Sequence, residues 1–115
     1  MSQQTSSFKW KAYESHLTTS FQDLFNQNDF SDVTLVSDDQ TQVSAHKIVL
    51  SACSPVLKNL LINNPHSSQS LIYLSGVKHE EFQSILQFMY SGEVTVNQNR
   101  INEFLMLQMN YRWKE

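Results

Sequence analysis

Residues 32–55 read DVTLVSDDQTQVSAHKIVLSACSP, and this stretch decides the fold. Asp32 to Val36 alternates, with Val33 and Leu35 on one face, as a half-buried strand does. Ser37 to Gln40 is a polar turn. Gln42 to Ala45 returns as the second strand of a hairpin, although the loop lacks an Asn-Gly pair. From His46 the spacing becomes helical, with Val49, Leu50 and Cys53 on one side. Ser54-Pro55 restarts the chain: a serine hydroxyl caps the amides of a following helix, and proline is well tolerated at its first position. Val56, Leu57, Leu60 and Leu61 give that helix its apolar face.

Upstream, residues 1–7 form a polar leader, expected to be disordered. Phe8 and Trp10 flank a polar residue, as in a short strand. Tyr13, Leu17, Phe21, Leu24 and Phe25 then make one apolar stripe on a helix that fades at Asn26 to Asp29. Downstream, Asn63 to Ser70 reads as a loop and Leu71 to Leu74 as a strand closed by Ser75-Gly76. Glu81 to Tyr90 is the clearest helix, with Phe82, Ile85, Leu86 and Met89 at three-and-four spacing and Gly92 as its stop. Val94 and Val96 suggest one more short strand. Asn97 is placed to cap a last helix carrying Ile101, Phe104 and Leu105. This order of elements is α+β, a small mixed sheet with clustered helices.

Composition narrows the function. The chain has 115 residues, 40% hydrophobic and 17% charged, which suits one folded domain. A net charge of −3 lacks the basic footprint of a nucleic-acid binder, so DNA contact falls to another segment or partner. Cys53 is the single cysteine, which excludes an internal disulfide and points to a reducing compartment. No apolar run approaches the roughly 20 residues that cross a bilayer, and none has signal-peptide character. Two glycines, Gly76 and Gly92, are too few and too far apart for a phosphate-cradling loop. The histidines (His16, His46, His66, His79) have no ligand spacing, and Cys53 sits among apolar residues, so neither a metal nor a cofactor is expected. Glu80-Glu81 and Asp38-Asp39 read as solvated surface. No nucleophile, base and orienting group can be assembled from spacing, so an enzyme is not expected.

Several ordered motifs resemble the BTB/POZ family: Asp32-Val33-Thr34-Leu35, Ala45-His46-Lys47, Val49-Leu50-Ser51-Ala52-Cys53-Ser54-Pro55 and Phe88-Met89-Tyr90-Ser91-Gly92-Glu93-Val94. The opening Phe8-Lys9-Trp10, followed by Tyr13 and Leu17, looks like the Tramtrack-type subgroup of arthropod transcription regulators. The likeness covers residues 8–105, taken as the domain. Residues 106–115 depart from the family's alanine- and leucine-bearing segment and form an atypical tail. In it Leu105, Met109 and Trp113 keep a spacing of four that a helix could continue.

The resemblance implies the BTB/POZ fold and a homodimer, in which the N-terminal strand joins the partner's sheet and the first helices pack across a two-fold axis. Phe8, Trp10, Tyr13, Leu17 and Phe21 are the expected dimer interface; the alternative is that the stripe packs within one chain. Asp32 and Lys47 match two charged positions that the family places near the dimer groove. Against that stands an Asp that starts a strand and a Lys that is solvated. His46, Ser54, Pro55 and Tyr90 are expected to support the fold.

The function so implied is a protein–protein interaction module of a transcription regulator, in the nucleus with the cytosol as the other location. Its partners are itself or other BTB proteins, with corepressor or chromatin proteins beyond them. The competing reading is a substrate adaptor of a cullin ubiquitin ligase. A further one is a dimerising domain that lowers the DNA valency of longer relatives.

Overall fold

A computed structural model describes residues 3–63 and 70–111. Its elements, in chain order, are α1 (Tyr13–Gln27), β1 (Val33–Val36), β2 (Gln42–Ala45), α2 (Lys47–Cys53), α3 (Pro55–Ile62), β3 (Ser70–Tyr73), α4 (His79–Ser91), a 3-10 turn (Gln98–Arg100) and α5 (Ile101–Tyr111). The architecture is α+β. One three-stranded sheet has the order β2-β1-β3, with β2 antiparallel and β3 parallel to β1.

Leu35 lies opposite Val43 on one side and Ile72 on the other, so alternate residues of all three strands face the helices. Val33, Leu35 and Ala45 join Leu50, Leu57, Phe82 and Leu86 in a single buried cluster. Most of the driving force for folding comes from removing this surface from water. α4 is the central helix and touches α1, α2 and α5. It presents Phe82, Ile85, Leu86 and Tyr90 to the core and stops at Gly92. That residue has φ 81°, a left-handed conformation that glycine adopts without steric cost.

The hairpin turn is fastened at both ends. The fully buried Ser37 hydroxyl donates to Asp39 and accepts from the Thr41 amide at 3.2 Å. The other Asp39 oxygen accepts from the His79 amide at 3.2 Å, at the start of α4. The Lys78 amide donates to Glu81 at 2.9 Å. Arg100 reaches back to Glu80 at 2.6 Å and to Glu81 at 3.5 Å. Asp39 and Glu80 stay exposed, in keeping with their reading as solvated surface, while Glu81 is half-buried and held by the Lys78 amide and Arg100. Their negative charge suits the positive end of the α4 dipole.

Several elements differ from the sequence reading. Residues 8–10 and 94–96 belong to no strand among the described residues. A strand exists only with a ladder partner, and among the described residues neither segment has one. The Asn97 side chain caps nothing; a 3-10 turn follows it before α5. α5 turns Leu107 and part of Phe104 inward and leaves Ile101 and Leu105 exposed. It passes Leu105 without a break and runs to Tyr111. Leu60, expected on the buried face of α3, is exposed. Within the loop read at Asn63 to Ser70, residues 64–69 lie outside the described residues, as do residues 1–2 of the leader and residues 112–115 of the tail.

Candidate interaction surface

Two groups of residues stand out, one closed on itself and one open. The closed group lies where α1, α2 and α4 meet. His46 is the last residue before α2, and its side chain is buried. Its Nε2 lies 2.6 Å from the Asp29 carbonyl, which can accept but not donate, so Nε2 carries the proton. Nδ1 is then an acceptor and takes the Tyr90 hydroxyl proton at 2.7 Å. The same hydroxyl accepts from the His46 backbone amide at 2.9 Å. Every polar atom of this bridge is paired. Burial pushes the Tyr90 phenol well above its usual range; the His46 amide opposes this, while Asp32 and Cys53 add to it.

The Tyr90 ring also stacks on Phe25 with centroids 4.5 Å apart, so one side chain holds α1 to α4. Beside it, Asp32 accepts from the Lys47 amide at 2.7 Å, and both residues are half-buried. Asp32 and Lys47 are thus brought together, through the lysine's backbone. Ser54 is fully buried and accepts from the Leu57 amide at 3.1 Å, with Pro55 in the first turn of α3. The sequence named His46 and Tyr90 separately. Their link spans 44 residues and leaves no local signal.

The open group is N-terminal. Phe8 is 96% exposed, Trp10 57% and Tyr13 49%. Trp10 sets its carbonyl on the Tyr13 amide at 3.2 Å and its ring against Tyr13 and His16, at 5.3 and 4.9 Å. α1 has no fully buried residue. Leu17 is half-buried, whereas Phe21 packs against the chain's own core and stands apart from the other four. Residues 94–96 resemble the arm. They lie outside any helix or strand, and among the described residues their backbone amides and carbonyls make no hydrogen bond. Behind them a hollow of about 140 Å³ is lined by Glu80, Ser84, Val96, Asn97 and Phe104.

Among the described residues no group of three His, Cys, Asp or Glu could hold a metal. No described helix is long and apolar enough to cross a membrane.

Comparison with known proteins agrees with the motifs. The family model for the BTB/POZ domain matches residues 21–115. The chain is 46% identical to Longitudinals lacking protein-like of Drosophila melanogaster over 97 residues, 84% of this chain and 75% of that protein. It is 40% identical to Protein abrupt over 90% of this chain, and 37% identical to the alpha isoform of Protein tramtrack over 99%, both from the same fly. It spans 11% and 14% of those two proteins. The BTB domain of human gigaxonin superposes with a TM-score of 0.81 over 96% of this chain and 90% of that one, at 22% identity. That of zebrafish PATZ1 superposes with 0.82 over 94% and 87%, at 17% identity, and at such identities the likeness speaks for the fold. By sequence motif, family match and architecture, the chain belongs to the BTB/POZ family, among relatives of the Tramtrack type.

Proposed function

We propose that this chain is a homodimerisation module of a transcription regulator and acts by protein contact, not by catalysis. One observation carries the reading: two segments outside any helix or strand, 8–10 and 94–96, each alternate apolar and polar residues, and among the described residues their only backbone hydrogen bond is that of the Trp10 carbonyl with the Tyr13 amide. An unpaired edge flanked by exposed aromatic rings is marginal in water. Exchange of the arm between two copies supplies each acceptor segment with a strand and covers Phe8, Trp10 and Tyr13. Each large side chain so covered contributes roughly 1.5–3 kcal/mol. α1, with Leu17 half-exposed, then packs across the two-fold axis, and the Asp32–Lys47 neighbourhood lines the groove beside it.

The relatives support the regulatory role. The chain is 38% identical to Zinc finger protein chinmo of Drosophila melanogaster and spans 17% of it, which leaves DNA contact to other parts of such proteins. The net charge of −3 accords with that division. In the nucleus the module pairs chains or recruits corepressor and chromatin proteins through the grooves between subunits.

Sedimentation at micromolar concentration tests this. The parent chain is expected at twice its 13.4 kDa mass. The doubly substituted Trp10→Asp/Leu17→Asp chain is expected at the monomer mass with its helical circular dichroism retained. A folded parent that sediments as a monomer defeats the proposal, as does a double variant that keeps the parent's mass.

A further inference from the structure

We infer that Lys11 and Glu93 set the direction and register of the exchanged arm, and so select which chains pair. This rests on the exchange reading above. The arm runs Ser7-Phe8-Lys9-Trp10-Lys11 and the acceptor Glu93-Val94-Thr95-Val96-Asn97. Two alignments place apolar residues opposite each other with Lys9 facing Thr95. In the antiparallel one, Phe8 faces Val96, Trp10 faces Val94 and Lys11 faces Glu93. In the parallel one, Lys11 faces Asn97 and Glu93 faces Ser7, so no charges pair. Opposite charges directly across a ladder favour the first alignment, and like charges oppose it.

The neighbouring carboxylates are already committed, because Arg100 holds Glu80 and Glu81 and the latter also accepts from the Lys78 amide. Glu93 is exposed, with its backbone carbonyl taken by the Ser91 hydroxyl at 3.1 Å. Among the described residues neither its carboxylate nor the Lys11 ammonium forms an ion pair. An exposed pair adds little to the stability of one chain. In a two-fold assembly it occurs twice, and partner choice depends on the difference between attraction and repulsion.

The experiment uses two full-length variants, Lys11→Glu and Glu93→Lys. Each alone sets like charges opposite each other at both symmetry-related sites, and self-association should weaken roughly tenfold. When the two are mixed, the substituted arm of one meets the substituted acceptor of the other, and the native arm meets the native acceptor. Native mass spectrometry should then show mixed dimers well above the half that random pairing gives. The Lys11→Glu/Glu93→Lys chain should recover the parent's affinity, and added salt should erase the preference. Random mixing at low salt, or a double variant as weak as the single ones, overturns the assignment. If the parent dimerises and Trp10→Asp/Leu17→Asp splits it, yet the charge variants mix at random, the register alone is wrong. If the parent is monomeric, the exchange reading and the register fall together.

Discussion

The junction around His46 and the N-terminal arm are built from similar residues, aromatic rings beside polar groups, yet they are in opposite states. At the junction, Tyr90, Phe25 and His46 lock three helices together, and the hydroxyl, both ring nitrogens and the amide all find partners within the chain. In the arm, Phe8 lies in solvent and Trp10 is more than half exposed, held only by its carbonyl's bond to the Tyr13 amide and by ring contacts with Tyr13 and His16. Burial is costly for a polar group unless it is paired, so a finished interior shows paired atoms. An alternating segment without a ladder partner is the feature on which the proposed pairing with a second chain rests. Substitutions in the first region should therefore act on unfolding, and those in the second on association.

The largest loss is expected for Phe82→Ala, which empties the centre of the cluster and should cost about 3–5 kcal/mol in denaturant unfolding. Next comes Tyr90→Phe, which strands the His46 amide and Nδ1 in a buried site and should cost about 1–3 kcal/mol. The same residue gives a pH test. Its raised pKa means that the folded state holds the phenolic proton more tightly than the unfolded one, whose pKa is 10.0. Its contribution is full below pH 10.0 and is lost as pH rises beyond it; the Tyr90→Phe chain should lack that alkaline loss.

Asp39 supplies the acidic counterpart. The Ser37 hydroxyl, aided by the His79 amide and opposed by burial, lowers its pKa from 3.8. Its contribution is present above pH 3.8 and disappears as the pH falls below it, and Asp39→Asn should remove that sensitivity in an acid titration. The smallest effect should come from Phe8→Ser. At a protein concentration low enough to keep the chain monomeric, its unfolding free energy should stay within about 0.5 kcal/mol of the parent's. A larger change would show that the arm belongs to its own chain's core and would erase the contrast.

The sequence was most legible where a local pattern and its cause coincide. The spacing of Phe82, Ile85, Leu86 and Met89 names α4 and its inner face, because Gln83, Ser84 and Gln87 between them are polar. Ser54-Pro55 names the start of α3, because capping is local chemistry. α5 was harder, since Ile101 and Leu105 on one side and Phe104 and Leu107 on the other are equally apolar, and periodicity cannot choose between them. The Arg100 clamp was missed because it joins residues about twenty apart, with nothing local to mark it. The bond from His46 to Asp29 was missed because its acceptor is a backbone carbonyl, which any residue provides. The strands read at Phe8–Trp10 and Val94–Val96 have the right alternation; a single chain does not give them a ladder. In the interaction surface, the exposed aromatics were readable from their position and spacing. The inward turn of Phe21 follows from the packing of α1 on α4.

On the proposed exchange, plug and socket lie on one polypeptide, so any population of this chain would carry them in equal number. Two molecules that trade reciprocally leave none spare, and growth stops at the pair. A molecule that gives its plug to one neighbour and receives from another leaves one of each at the ends, and such a row either lengthens or bends into a ring. Concentration and the stiffness of the joint at Ala12 would then decide between closure and extension.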